Sequence, residues 1–137
     1  MNIFMLDDDP EVAARYHCDK HITKMVVEYA QILSTAAWKN DFHDPDRMYK
    51  PVPGINLHVH DWCAESSGNF IWLLKLAKAT GEEFEHRYGH EHGSYTDVIN
   101  KFDMTEIRAP GEGMTEIPLS MPDVYKTEGE PVKSYRD

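Results

Sequence analysis

The chain has 137 residues, 41% of them hydrophobic, and a formal net charge of −10 at pH 7. That length supports one core and is short for two, so a single domain over residues 1–137 is expected. The acid excess is spread along the chain (−2 over residues 1–40, −5 over 41–100, −3 over 101–137), which excludes a basic arm or a broad electrostatic grip on a phosphate backbone.

No apolar run approaches the roughly 20 residues that span a bilayer, and the start lacks the basic and long apolar regions of a signal peptide. A soluble, cytoplasmic protein without membrane contact is expected. Cys18 and Cys63 form no C-x-x-C pair and no secreted framework, so both are read as free thiols, more in keeping with small core residues than with nucleophiles.

The first predicted element follows Asp7-Asp8-Asp9-Pro10, with Asp9 as N-cap, Pro10 at the first helical position and Glu11 in the first turn. It runs to about Trp38. At roughly 100° per residue, Cys18, Ile22, Met25, Val26, Tyr29, Ile32 and Leu33 form an apolar arc. His17, His21, Lys24 and Glu28 fall within about 60° of one another beside that arc. Asp19 projects into the arc, where a carboxylate is costly unless paired, and Arg15 is one turn away. The stripe reads either as a solvated face or as a site on a rigid helix where burial and neighbouring charge tune proton affinity.

Residues 39–60 read as a connector, because Asp44-Pro45, Lys50-Pro51 and Pro53-Gly54 punctuate it. A second long helix is predicted from about Asp61 to Tyr88, stopped by Gly89. Its inward arc holds Trp62, Phe70, Trp72, Leu73, Leu76, Ala77 and Phe84, and also Asn69, Glu83 and Arg87. Glu83 and Arg87 at i, i+4 either pair with each other or face the first helix. A short third helix is predicted over 95–102. Residues 103–137 read as an extended tail covering the helices with Ile107, Ile117, Leu119, Met121, Val124 and Tyr125. The fold class is thus mainly α: two long packed helices, a short third helix, a central loop and an extended C-terminal tail.

Eight histidines raise the possibility of a metal site, with His17 and His21 one helical turn apart. The intervening Cys18-Asp19-Lys20 is not the His-Glu-x-x-His signature, so no bound metal and no cofactor are expected. A metal-dependent hydrolase remains the alternative, recognised by stoichiometric zinc, manganese or iron in purified protein. Lys20 and Lys24, one turn apart, are either surface groups, the reading taken for Lys20 because it projects away from the stripe, or an amine nucleophile toward a carbonyl or sugar C1′ carbon, with Asp19, Glu28 or a histidine moving protons. Phosphate-loop and dinucleotide motifs are absent.

The apolar-aromatic start, the charged residues near position 20 and the run His60-Asp61-Trp62…Asn69-Phe70-Ile71-Trp72-Leu73…Glu83…Arg87-Tyr88-Gly89 together resemble the phage pyrimidine-dimer DNA glycosylases of the endonuclease V type. The stretches around His17–His21 and Met121–Lys126 resemble uncharacterised phage proteins. The first resemblance implies an all-helical domain and a glycosylase/lyase mechanism, in which an α-amine at the chain start attacks C1′ and a carboxylate on the first helix assists. The helix position nearest that carboxylate is Lys24 here, which leaves Asp19 or Glu28 for the role.

The expected site lies between the helices. His17, Asp19, His21, Lys24 and Glu28 are its catalytic candidates, and His58, His60, Asn69, Glu83 and Arg87 its substrate-binding candidates. The expected activity is cleavage of a glycosidic bond in a nucleotide or nucleic acid. The rival from another class is a phage-encoded binding or inhibitor protein, which would keep its activity after His21→Ala and Asp19→Asn.

Overall fold

A computed structural model describes residues 9–15, 19–51 and 57–116. The protein is mainly helical: α1 spans Pro10–Arg15, α2 Asp19–Lys39, α3 Leu57–Glu65, α4 Ser67–Tyr88 and α5 Gly93–Asp97, followed by a 3-10 turn over Ile99–Lys101. The start of α1 follows its sequence signals, since Asp9 Oδ1 accepts the Glu11 N–H at 2.9 Å and Pro10 opens the helix.

α4 is the central element, with α1, α2 and α3 all packed on it. The apolar arc of α2 is buried from Ile22 through Met25, Val26, Tyr29, Ile32 and Leu33. It meets the arc of α3 and α4 that carries Trp62, Phe70, Trp72, Leu73, Leu76, Ala77 and Phe84, all buried. Phe70 also sits edge-on between Phe42 and Phe102, at centroid distances of 5.5 and 5.6 Å, which ties the connector and the turn after α5 to the same core.

α2 ends as its geometry demands of a helix whose last carbonyls need donors. The Asp41 N–H donates to the Trp38 carbonyl and the Phe42 N–H to that of Ala37, with Asp41 at φ 60° in the left-handed region. This is the position glycine usually takes. At the end of α4 glycine does take it: Gly89 has φ 74° and its N–H donates to Glu85, the stop expected from the sequence.

The single helix expected over 61–88 is instead two. α3 begins at Leu57, inside the expected connector, and α4 begins at Ser67. Between them Ser66 is extended (φ −146°, ψ 153°) and its hydroxyl accepts the Asn69 N–H at 3.0 Å, so it caps α4. The break is held open by a distant segment. The Gly111 N–H donates to the Glu65 carbonyl, while the Ser67 and Gly68 N–H groups donate to the carbonyls of Gly111 and Glu112. Three helix-terminal groups that would otherwise lack partners are satisfied in this way. The third helix expected at 95–102 likewise resolves into α5 and the 3-10 turn.

Of the expected covering tail, residues 103–116 are described. Ile107 packs on the core, and Thr115 is held from both sides, its carbonyl accepting Trp62 Nε1–H at 3.0 Å and its N–H donating to Asn69 Oδ1 at 2.8 Å. Ile117, Leu119, Met121, Val124 and Tyr125 lie outside the described residues. Arg47 secures the connector to this half of the chain through Asp44 (2.8 Å), Glu106 (2.7 Å) and the Lys101 carbonyl (2.7 Å). The Arg47 guanidinium in turn holds the Asp44 carboxyl below the usual carboxylate range.

α5 lies flat on α4 because Gly81 leaves room for it. A Cβ at Gly81 would fall 2.1 Å from the Tyr95 ring and 2.9 Å from Tyr95 Cβ, so α5 itself has to move. Gly81→Ala is expected to cost about 2 kcal/mol despite the better helix propensity of alanine. A urea midpoint at or above that of the parent would show that Tyr95 swings aside freely.

Candidate functional site

The eight sequence-derived candidates whose side chains are described divide between two ends of the helix pair. α2 and α4 run antiparallel. Asn40 Nδ2 at the end of α2 donates to the Ala64 carbonyl beside the start of α4, while the beginning of α2 meets the end of α4 through His92. Rising at about 1.5 Å per residue, α4 carries Glu83 about 21 Å from Asn69. His21, Lys24, Glu28, Glu83 and Arg87 therefore do not share a crevice with His58, His60 and Asn69. His17 and the side chain of Asp19 lie outside the described residues.

At the first end, Glu83 and Arg87 pair with each other at 2.9 Å, both half-buried. Lys24 Nζ lies 3.7 Å from Glu28; the lysine side chain is 70% exposed and the glutamate only 16%. His21 is half-buried in the first turn of α2. Next to these groups stands an aromatic cluster that sequence inspection missed. The Phe84 ring is contacted by Tyr88 (4.8 Å), His90 (5.3 Å) and His92 (4.8 Å), and Tyr88 keeps 43% of its surface in solvent.

His92 joins the two helices. Its Nδ1 accepts the Ser94 N–H at 3.1 Å, so the ring proton is on Nε2, which donates to the Thr23 carbonyl at 3.1 Å. That bond brings the first turns of α2 to the last turns of α4. The Phe84, Tyr88, His90 and His92 spacing was the available signal, spread across a helix end and the loop after it.

At the second end, Asn69 is occupied by the fold: its Nδ2 donates to the Trp62 carbonyl (2.7 Å) and Thr115 Oγ1 (2.9 Å). His58 is exposed on α3. His60 is 0% exposed, and neither ring nitrogen has a hydrogen-bond partner among the described residues. Burial, reinforced by the Lys39 charge and opposed by Asp61, holds its imidazole below the ordinary histidine value. Cys63 is also buried, which pushes its thiol far up and leaves it inert as a nucleophile.

Among the described residues no three His, Cys, Asp or Glu side chains converge where a metal ion could be held, and no helix is long and apolar enough to cross a membrane. No family model, curated protein or solved structure matches the chain.

Proposed function

We propose that the chain is an enzyme acting on the glycosidic bond of a nucleotide or nucleic acid, at the end where α2 begins and α4 finishes. The observation that supports this most is the part-exposed Tyr88 ring on Phe84, with the Glu83–Arg87 pair in the same closing stretch of α4. An open aromatic face takes a nucleobase by stacking, worth about 1–3 kcal/mol per base and indifferent to sequence. Arg87 supplies a planar cation suited to a phosphate. Glu28 and Glu83 supply carboxylates for a sugar whose C1′ gains positive charge as the base departs, and His21, in the first turn of α2, is assigned the proton transfer.

The net charge of −10 suits a single nucleotide or an extruded base better than a length of duplex. In this assignment Asn69 and His60 are outside the reacting region, and Asn69 supports the fold. His17, Asp19 and Lys24 keep the catalytic roles expected of the first helix.

The test is release of free base from a panel of nucleosides, nucleotides and damaged oligonucleotides, with borohydride trapping to detect an imine. Glu28→Gln and Glu83→Gln are expected to lower kcat by about 100-fold or more. Tyr88→Ala should act mainly on KM. Unaltered rates in all three variants would remove this end of the molecule from the chemistry.

A further inference from the structure

At the far end of α2, Trp38, Lys39, Asp41 and His43 line an open groove of about 490 Å³. Trp38 is 56% exposed, whereas Trp62 and Trp72 are buried. The chemistry of this groove follows from which of its groups are already engaged.

Lys39 Nζ is taken by Asp61 at 2.8 Å. His43 Nε2 lies 2.7 Å from the Tyr49 carbonyl, and a carbonyl only accepts, so Nε2 donates to it. With the Lys39 and His43 Nε2 donors engaged elsewhere, Asp41 and the exposed Trp38 indole remain to line the groove, a carboxylate beside a ring whose face attracts cations. They ask for a planar cation with several N–H groups.

Asp41 adds a second argument. It holds φ 60° at the position after α2 where glycine costs least, so a carboxylate stands in the groove at a conformational expense. Nothing in the turn itself requires that side chain, because the capping bonds of this turn run through backbone groups.

We infer that this groove binds the guanidinium of an arginine side chain presented by a basic polypeptide partner. A guanidinium stacks on an indole and takes a carboxylate through its paired N–H groups; an ammonium has no planar face for the stack. The net charge of −10 draws a basic segment toward the protein.

The experiment is a ¹⁵N–¹H titration of the intact protein with acetyl-Gly-Arg-Gly-amide and its lysine and citrulline counterparts, followed at the Trp38 indole and the Asp41 amide. Saturable shifts with the arginine peptide at concentrations up to about 10 mM are expected, several-fold weaker with lysine and absent with citrulline. Asp41→Gly should unfold at no lower urea concentration than the parent and yet bind about tenfold more weakly, which separates loss of the ligand from loss of the fold. Trp38→Ala should weaken binding similarly. Equal responses to arginine and citrulline, equal responses to arginine and lysine, or undiminished binding by Asp41→Gly would each overturn the assignment.

Discussion

Replacing Gly68 with alanine is expected to destabilise the protein by about 3 kcal/mol, although the same exchange at an open helical position gains up to about 1 kcal/mol from propensity. An added Cβ would lie 2.7 Å from the Glu112 carbonyl oxygen, 2.8 Å from the Met114 nitrogen and 3.0 Å from the Gly113 carbonyl carbon. These are backbone atoms, so no rotamer relieves the overlap and the 111–115 segment has to lift. Lifting it breaks the bonds from Ser67 and Gly68 to that segment, the bond from Gly111 to Glu65, and those joining Thr115 to Trp62 and Asn69. Each is worth about 1 kcal/mol net, and the Asn69 amide, being buried, loses more when orphaned. Some of these groups regain water, which brings the total down to the stated figure. Urea denaturation measures it, with amide exchange at Gly111 and Thr115 as the local readout. Gly93→Ala is the control, because nothing lies within 4 Å of the Cβ it would add. A Gly68→Ala protein as stable as the control would mean that the segment is not held where it lies.

Replacing His60 with leucine is expected to have the opposite sign, stabilising the protein by about 2 kcal/mol at neutral pH. A neutral imidazole carries one N–H and one lone pair, and both are buried at His60 with no partner among the described residues. Each unsatisfied group costs about 1–3 kcal/mol, and leucine fills a similar volume with no polar atom, at some cost in shape. The same variant should change the pH dependence. Because burial holds the folded-state value below the ordinary 6.5, the unfolded chain binds the proton first as pH falls. The stability of the parent is therefore full above about 6.5 and lost as pH drops through the folded-state value. Unfolding midpoints measured near pH 7.5 and near pH 5 should separate for the parent and draw together for His60→Leu, so the advantage of the variant is larger in acid. A destabilised variant, or an unchanged pH slope, would mean that His60 has a polar partner.

The helical arcs were legible because their cause is local. Ile22, Met25, Val26, Tyr29, Ile32 and Leu33 recur at helical spacing, and burial follows that spacing. The Asp9 cap and the Gly89 stop are likewise written within a few residues of where they act. The division between α3 and α4 was not legible, although the Ser66-Ser67-Gly68 run marks it. The groups that complete it belong to Gly111 and Glu112, and periodicity carries no information about a partner so far along the chain.

The candidate site was half legible for a related reason. Angular position on a helix predicted that Glu83 and Arg87 lie on one side, and they do pair, but it says nothing of height along the axis. Asn69 and Glu83 share a face and are far apart on it. The aromatic group around Phe84 is assembled across the turn after α4, where no single period applies.

The seam at Ser66 also makes the helical core depend on chain far downstream. A chain ending before Gly111 would leave the carbonyl of Glu65 and the N–H groups of Ser67 and Gly68 without these partners. The joint between two helices is thus set by a strip of backbone that belongs to neither.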